Sequence, residues 1–172
     1  MTNHHTDANR QKYSGVIRVL FLVYLLFLIW AILWKFNPPY VGNDLFRSLN
    51  LIPFNGNSFS EMRFNVLIFI PFGFFCSALL PEHTFFRKVL FAFLASTALE
   101  AIQYVLGIGH SDVTDVVMNT LGGIVGIAAY FALAKLFPGK KSIATLIACL
   151  LVTALVLAAV AFFALLGRIR IA

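Results

Sequence analysis

Residues 111–126 read SDVTDVVMNTLGGIVG. Within them Asp112, Asp115, Asn119, Gly122 and Gly126 follow one another at intervals of three, four, three and four. That spacing puts all five on one face of an α-helix. The apolar run around them extends over residues 113–137, long enough at about 1.5 Å rise per residue to cross a hydrocarbon core of about 30 Å. A charge carried to the centre of such a helix costs about 2.5–3.5 kcal/mol on insertion scales. The stretch therefore implies a membrane-spanning helix, and its two carboxylates and one amide are residues that lipid burial alone would not select.

Four further runs of the same kind flank it, at residues 16–36, 64–80, 89–106 and 143–166. The composition agrees: of 172 residues, 60% are hydrophobic and 12% charged, against about 45–50% and about 25% in soluble domains. Mean hydropathy is +0.89. These values exclude a water-soluble globular domain, a disordered chain and a collagen-like chain. The expected fold is all-α, a polytopic membrane bundle of five transmembrane helices. Residues 1–15 form a tail. Residues 16–137 form a four-helix core with one long loop over 37–63, and residues 138–172 supply a fifth helix and a short tail. The first run is too long for a signal-peptide core and is followed by Trp34-Lys35, an interfacial anchor, so it reads as a retained helix. Pro71 lies in the second run, where its ring leaves the Leu67 carbonyl without its usual partner and is expected to kink the helix. There is no repeat of 20–50 residues.

Net charge is +6, but the basic residues punctuate the apolar runs instead of forming a face, which points to topology and anionic lipids and away from nucleic acid. With the amino terminus in the cytoplasm, the inner set is Arg10, Lys12, Arg18, Arg87, Lys88, Lys135, Lys140 and Lys141. The outer set is the smaller group Lys35, Arg47, Arg63, Arg168 and Arg170. This bias places the carboxyl terminus and the 37–63 loop outside. The loop opens on the helix breaker Asn37-Pro38-Pro39. Its segment Asn50-Leu51-Ile52-Pro53-Phe54-Asn55 is too apolar for a solvated loop and reads as interfacial or re-entrant. Cys76 and Cys149 lie in apolar runs and read as two inert thiols, with no metal-ligand spacing around them.

Glu100 and Gln103 share a face of the third run, extended by Ser96 and Gly107. Taking the turn as centred near Gly109-His110, Glu100 is expected level with Asn119, and Gln103 and Tyr104 level with Asp115. Asn65 enters the second run from the same side. The candidate pocket is thus Asn65, Glu100, Gln103, His110, Asp112, Asp115 and Asn119, with Glu100 about 10 Å below the end of its helix. Leu51, Ile52, Pro53 and Phe54 above it form a candidate gate for lateral entry. Neither hairpin helix carries Lys or Arg near the carboxylates, so these are expected either to raise one another's pKa or to bind a cation or a cationic ligand, with His110 or Arg63 as sources of positive charge from within the chain. The alternative is structural: intramembrane polar side chains join helices through hydrogen bonds averaging about 0.6 kcal/mol. Gly122 and Gly126 read as a helix-packing pair.

In order and spacing, these pieces resemble the VanZ-like membrane protein family over roughly residues 50–130. The resemblance rests on Asn50 to Phe54; on Asn65, Phe69, Pro71 and Gly73; on Glu100 and Gln103; and on Ser111-Asp112, Asp115, Asn119 to Gly123 and Gly126. Many members carry an Arg shortly before the first aspartate, where this chain has His110. The resemblance implies a small multi-pass protein of the bacterial cell membrane. The family's founding member is associated with low-level resistance to teicoplanin, a glycopeptide antibiotic. Expected partners are membrane lipids and a lipid-linked cell-wall precursor or lipoglycopeptide, with no cofactor or metal. The favoured role is binding. An intramembrane enzyme using Glu100 and Asp115 as an acid/base pair is the first alternative, although no Ser–His or Cys–His arrangement is evident. A cation-coupled transporter is the second, disfavoured by the missing repeat.

Overall fold

The computed structural model describes residues 4–34, 48–56, 58–107 and 110–169, with side chains over 13–31, 49–56, 58–107 and 111–158. Five helices are long and apolar enough to cross a membrane. They are α1 (His4–Trp34), α2 (Phe59–Leu79), α3 (Phe85–Leu106), α4 (Val113–Leu136) and α5 (Lys141–Ile169). Two short strands, β1 (Ser48–Asn50) and β2 (His110–Asp112), pair in parallel. The bundle is thus the five-helix membrane fold that the runs predict, with one small ribbon added.

Capping chemistry sets the helix ends. Ser58 and Glu61 form a reciprocal capping box, with Glu61 N donating to Ser58 Oγ at 3.2 Å and Ser58 N to Glu61 Oε2 at 3.1 Å. Helix α2 therefore starts at Phe59, five residues before the apolar run that predicts it. The α3 amino terminus is capped by Thr84, and its last turn closes on Gly107 in the left-handed region at φ 60°. Asp112 caps α4 by accepting from Thr114 N at 2.7 Å. Helix α1 begins at His4, so it runs back through most of the polar segment expected as a tail. Asn37-Pro38-Pro39 lies outside the described residues.

Helices α2 and α4 share the most extensive interhelical contact. Each follows one strand of a parallel pair, and they run side by side in the same direction. Gly122 lies on the Val66 carbonyl, Gly126 on that of Ile70, and Gly73 on that of Gly123. A Cβ at Gly122 would fall 2.2 Å from the Val66 oxygen, so the backbones touch only because no side chain intervenes.

Aromatic packing joins α1 to this pair. Phe21 packs tilted on Phe75 at 5.3 Å between ring centroids, and Tyr24 stacks on it at 5.7 Å. Helix α2 continues unbroken through Pro71. One turn before the proline, the Tyr24 hydroxyl donates to the Ile68 carbonyl at 2.6 Å. Buried Lys88, near the far end of the bundle, rests its ammonium 5.2 Å from the Phe131 ring. Leu90, Leu94, Val105, Leu121, Val125 and Leu155 face outward, as a lipid-contacting surface requires.

Candidate functional site

The ribbon organises one end of the bundle. Ser48 pairs with His110, Leu49 with Ser111, and Asn50 with Asp112. Asn50 then works with all its side-chain polar atoms. Its Oδ1 accepts from Ile52 N at 3.1 Å, and its Nδ2 donates to the Asn55 carbonyl at 3.0 Å and to Asp112 Oδ2 at 2.9 Å. Phe54 N donates to Thr114 Oγ1 at 2.9 Å. The turn is tight enough to hold Phe54 at φ 62°, a region that non-glycine residues rarely occupy. The segment read as interfacial or re-entrant consists of the last residue of a strand followed by a pinned turn. Backbone N–H groups of the turn find acceptors on the side chains of Asn50 and Thr114. The side chains of Leu51, Ile52, Pro53 and Phe54 all point away from the protein and are exposed, Leu51 by 68%.

Asp112 joins the ribbon to the helices. Besides capping α4 and binding Asn50, it donates its backbone N–H to Glu100 Oε2 at 3.1 Å. Ser111 Oγ donates to the Glu100 carbonyl at 2.7 Å. These bonds draw β2 back alongside the last turns of α3. An extended strand advances about 3.3 Å per residue, against about 1.5 Å in a helix. Helix α4 consequently begins deeper than a symmetric helical hairpin would place it. Asn119 Nδ2 donates to Ser96 Oγ at 2.9 Å, so Asn119 is level with Ser96 instead of with Glu100. The expected register is thus corrected by one helical turn, which brings Asp115 toward the level of Glu100.

Beneath the ribbon, Ala31, Phe64, Asn65, Glu100, Gln103, Asp115 and Asn119 line one cavity with room for about one water molecule. All five polar residues among them are buried. Asn65 Nδ2 donates to Asp115 Oδ1 at 2.6 Å, a charge-assisted bond from α2 to the first turn of α4. The amino-terminal dipole of α4 favours a carboxylate at that position. Asn119 Oδ1 is buried and has no hydrogen-bond partner. Among the described residues, no Lys or Arg lines the cavity.

Of the residues predicted for the pocket, Asn65, Glu100, Gln103, Asp115 and Asn119 meet at this cavity, while Asp112 stands beside it in the ribbon. His110 contributes backbone pairing, and its side chain lies outside the described residues. Arg63 does not reach in; it is exposed, with its guanidinium 4.8 Å from the Phe59 ring. Helix α2 contributes Phe64 and Asn65 to the cavity, about two turns before Pro71. Sequence reasoning passed over Asn50 and Thr114 as site residues, although Thr114 follows Asp112 at the spacing of a capped helix start.

The VanZ/LLP1 family model matches residues 21–137. Protein VanZ of Enterococcus faecium is 43% identical over 116 residues, which is 66% of this chain and 72% of that protein. No solved structure matches. The ribbon, the cavity and all its lining residues fall inside the matched span, and the chain belongs to the VanZ/LLP1 family.

Proposed function

We propose that this protein acts in the bacterial cell membrane as an envelope-binding protein with a role of the glycopeptide-resistance type. The ribbon end faces outward, as the Lys and Arg bias favours. The cavity beneath it engages a lipid head group, a lipid-linked cell-wall precursor or a lipoglycopeptide such as teicoplanin. The exposed apolar turn Leu51–Phe54 sits in the outer interface as the entry edge.

One observation carries this reading: five buried polar side chains from three helices share one cavity, and an apolar, pinned turn lies next to it. Polar groups that merely joined helices would be expected to satisfy one another, yet Asn119 Oδ1 is left over. The test is teicoplanin susceptibility of cells carrying Glu100→Gln or Asp115→Asn, with membrane insertion checked first. Both variants should lose any protection that the wild-type chain confers. Wild-type susceptibility in both, at normal expression, would refute the pocket.

A carboxylate pair on one cavity also supports acid/base chemistry on a lipid-linked substrate. In that case Glu100→Gln abolishes a change in lipid or precursor profile that overexpression produces. An unchanged profile on overexpression argues for binding alone.

A further inference from the structure

Charge divides unevenly between the two ends of the bundle. The start of α2, the ribbon and the cavity hold Glu61, Glu100, Asp112 and Asp115, four of the seven acidic residues. The opposite end takes the start of α3, the last turn of α4 and the start of α5, with Arg87, Lys88, Lys135, Lys140 and Lys141. Helix α1 has Ala31 at the cavity, so its amino-terminal part brings Arg10, Lys12 and Arg18 to that opposite end as well. Even if the three remaining acids, Asp7, Asp44 and Glu82, all paired there, eight basic residues would leave a surplus of five. Pairing within the chain cannot neutralise this end, so its counter-charge comes from outside.

The placing of the basic groups narrows what supplies it. A turn closed by Lys140 N donating to the Phe137 carbonyl at 3.1 Å joins α4 to α5. It sets Lys135 and Lys141 about equally far from the bend, one on each helix, with Lys140 between them, and all three are exposed. Lys141 holds its ammonium 5.1 Å from the Tyr130 ring, and Lys88 holds its own 5.2 Å from the neighbouring Phe131 ring. Helices α3 and α5 thus lay cations on adjacent rings of α4, which fixes charge that would otherwise swing on long side chains. Helix energetics gives no reason for Lys at the start of α5, because the dipole there repels a cation and the first turn holds no acid.

The surroundings of these lysines are apolar. Phe86 is 82% exposed and Leu136 72%, and Phe137 and Ile143 are exposed at the same end. A soluble anion would leave those side chains in water, whereas a lipid covers them with its acyl chains while its head group meets the lysines. We infer that this end of the bundle is a binding site for an anionic phospholipid, with Lys135, Lys140 and Lys141 meeting the head-group phosphate and Leu136, Phe137 and Ile143 lying against the acyl chains. The site lies across the bundle from the cavity and does not depend on what the cavity holds.

The test uses the full-length protein in detergent, with native mass spectrometry reading the lipid retained after exchange. The probes are phosphatidylglycerol and phosphatidylcholine with the same acyl chains, which differ in net charge. Phosphatidylglycerol should be retained at least about ten-fold better, because several lysines act on one phosphate together. The preference should fall to within about two-fold in Lys140→Gln/Lys141→Gln. It should persist in Arg168→Gln/Arg170→Gln, which removes the same charge from the carboxyl-terminal end of the chain. Since the comparison of lipids on the wild type needs no variant, poor folding of either double substitution does not spoil it. Equal retention of the two lipids by the wild type would overturn the inference. So would an equal loss in both double variants, which would trace the preference to net charge and not to this site. Displacement of phosphatidylglycerol by millimolar glycerol phosphate would also overturn it, in favour of a soluble phosphate ligand.

Discussion

Replacing Gly126 by alanine should push α4 away from α2 and, through that movement, break the cavity. The Cβ of Gly126→Ala would fall 1.9 Å from the Ile70 oxygen and 2.8 Å from Phe74 N, and both are backbone atoms that cannot swing aside. Restoring an ordinary contact of about 3.4 Å requires the helices to part by about 1.5 Å. A rigid shift of that size along α4 would stretch the Asn65–Asp115 bond from 2.6 Å to about 4 Å, beyond hydrogen-bonding range. Overpacking costs about 1–3 kcal/mol. Losing a buried bond to a carboxylate adds about 1.5–3 kcal/mol. The better helix propensity of alanine returns up to about 1 kcal/mol. A net loss of about 3 kcal/mol corresponds to a fall of about 6–12 °C in Tm for a chain of this length. The assay is the fraction of detergent-solubilised protein that stays monodisperse after heating, measured by size-exclusion chromatography. Gly15→Ala on α1 is the control, since a Cβ there meets nothing within 4 Å. If Gly126→Ala melts within about 2 °C of wild type, the close backbone contact is not what sets the helix spacing, and the reasoning fails.

Three further outcomes are expected. Asn65→Leu leaves the Asp115 carboxylate buried without its α2 donor and should cost about 1–3 kcal/mol, read as a lowered Tm; an unchanged Tm would mean that the 2.6 Å bond contributes nothing net. Asp112→Ala removes the α4 cap and the anchor for Asn50 together, costing about 1–2 kcal/mol for the cap. Hydrogen exchange should then rise at Ile52 and Phe54 before it rises in the helices, and uniform protection would contradict the clamp. Leu51→Cys, made on a Cys76→Ala/Cys149→Ala background, should react with a membrane-impermeant thiol reagent added to intact cells. Labelling only after the cells are opened would reverse the proposed orientation.

The five spans were legible because lipid imposes a simple rule: a backbone crossing it must satisfy its own hydrogen bonds over about 20 apolar residues. The shared faces of Glu100 with Gln103, and of Asp115 with Asn119, were legible because helical period is a property of sequence alone. Their neighbours across the bundle were legible only in part: one shared pocket was expected, but the level of α4 against α3 was off by one turn. The small-residue pair Gly122 and Gly126 announces a close helix without saying which one, and α2 takes that place because β1 and β2 set the two helices going side by side.

The ribbon itself left no readable trace, since strands of three residues are too short for a period and their partners stand some 60 residues apart in the chain. Only the folded bundle supplies that pairing, and with it the shift of α4 by one turn, the pinning of Leu51–Phe54 and the closure of the cavity. The sequence by itself determined that this chain lives in lipid and which polar side chains it carries there, because both follow from local composition and helical period. The tertiary structure decided which of those side chains meet and which acceptor is left unpaired, because both depend on contacts between distant segments.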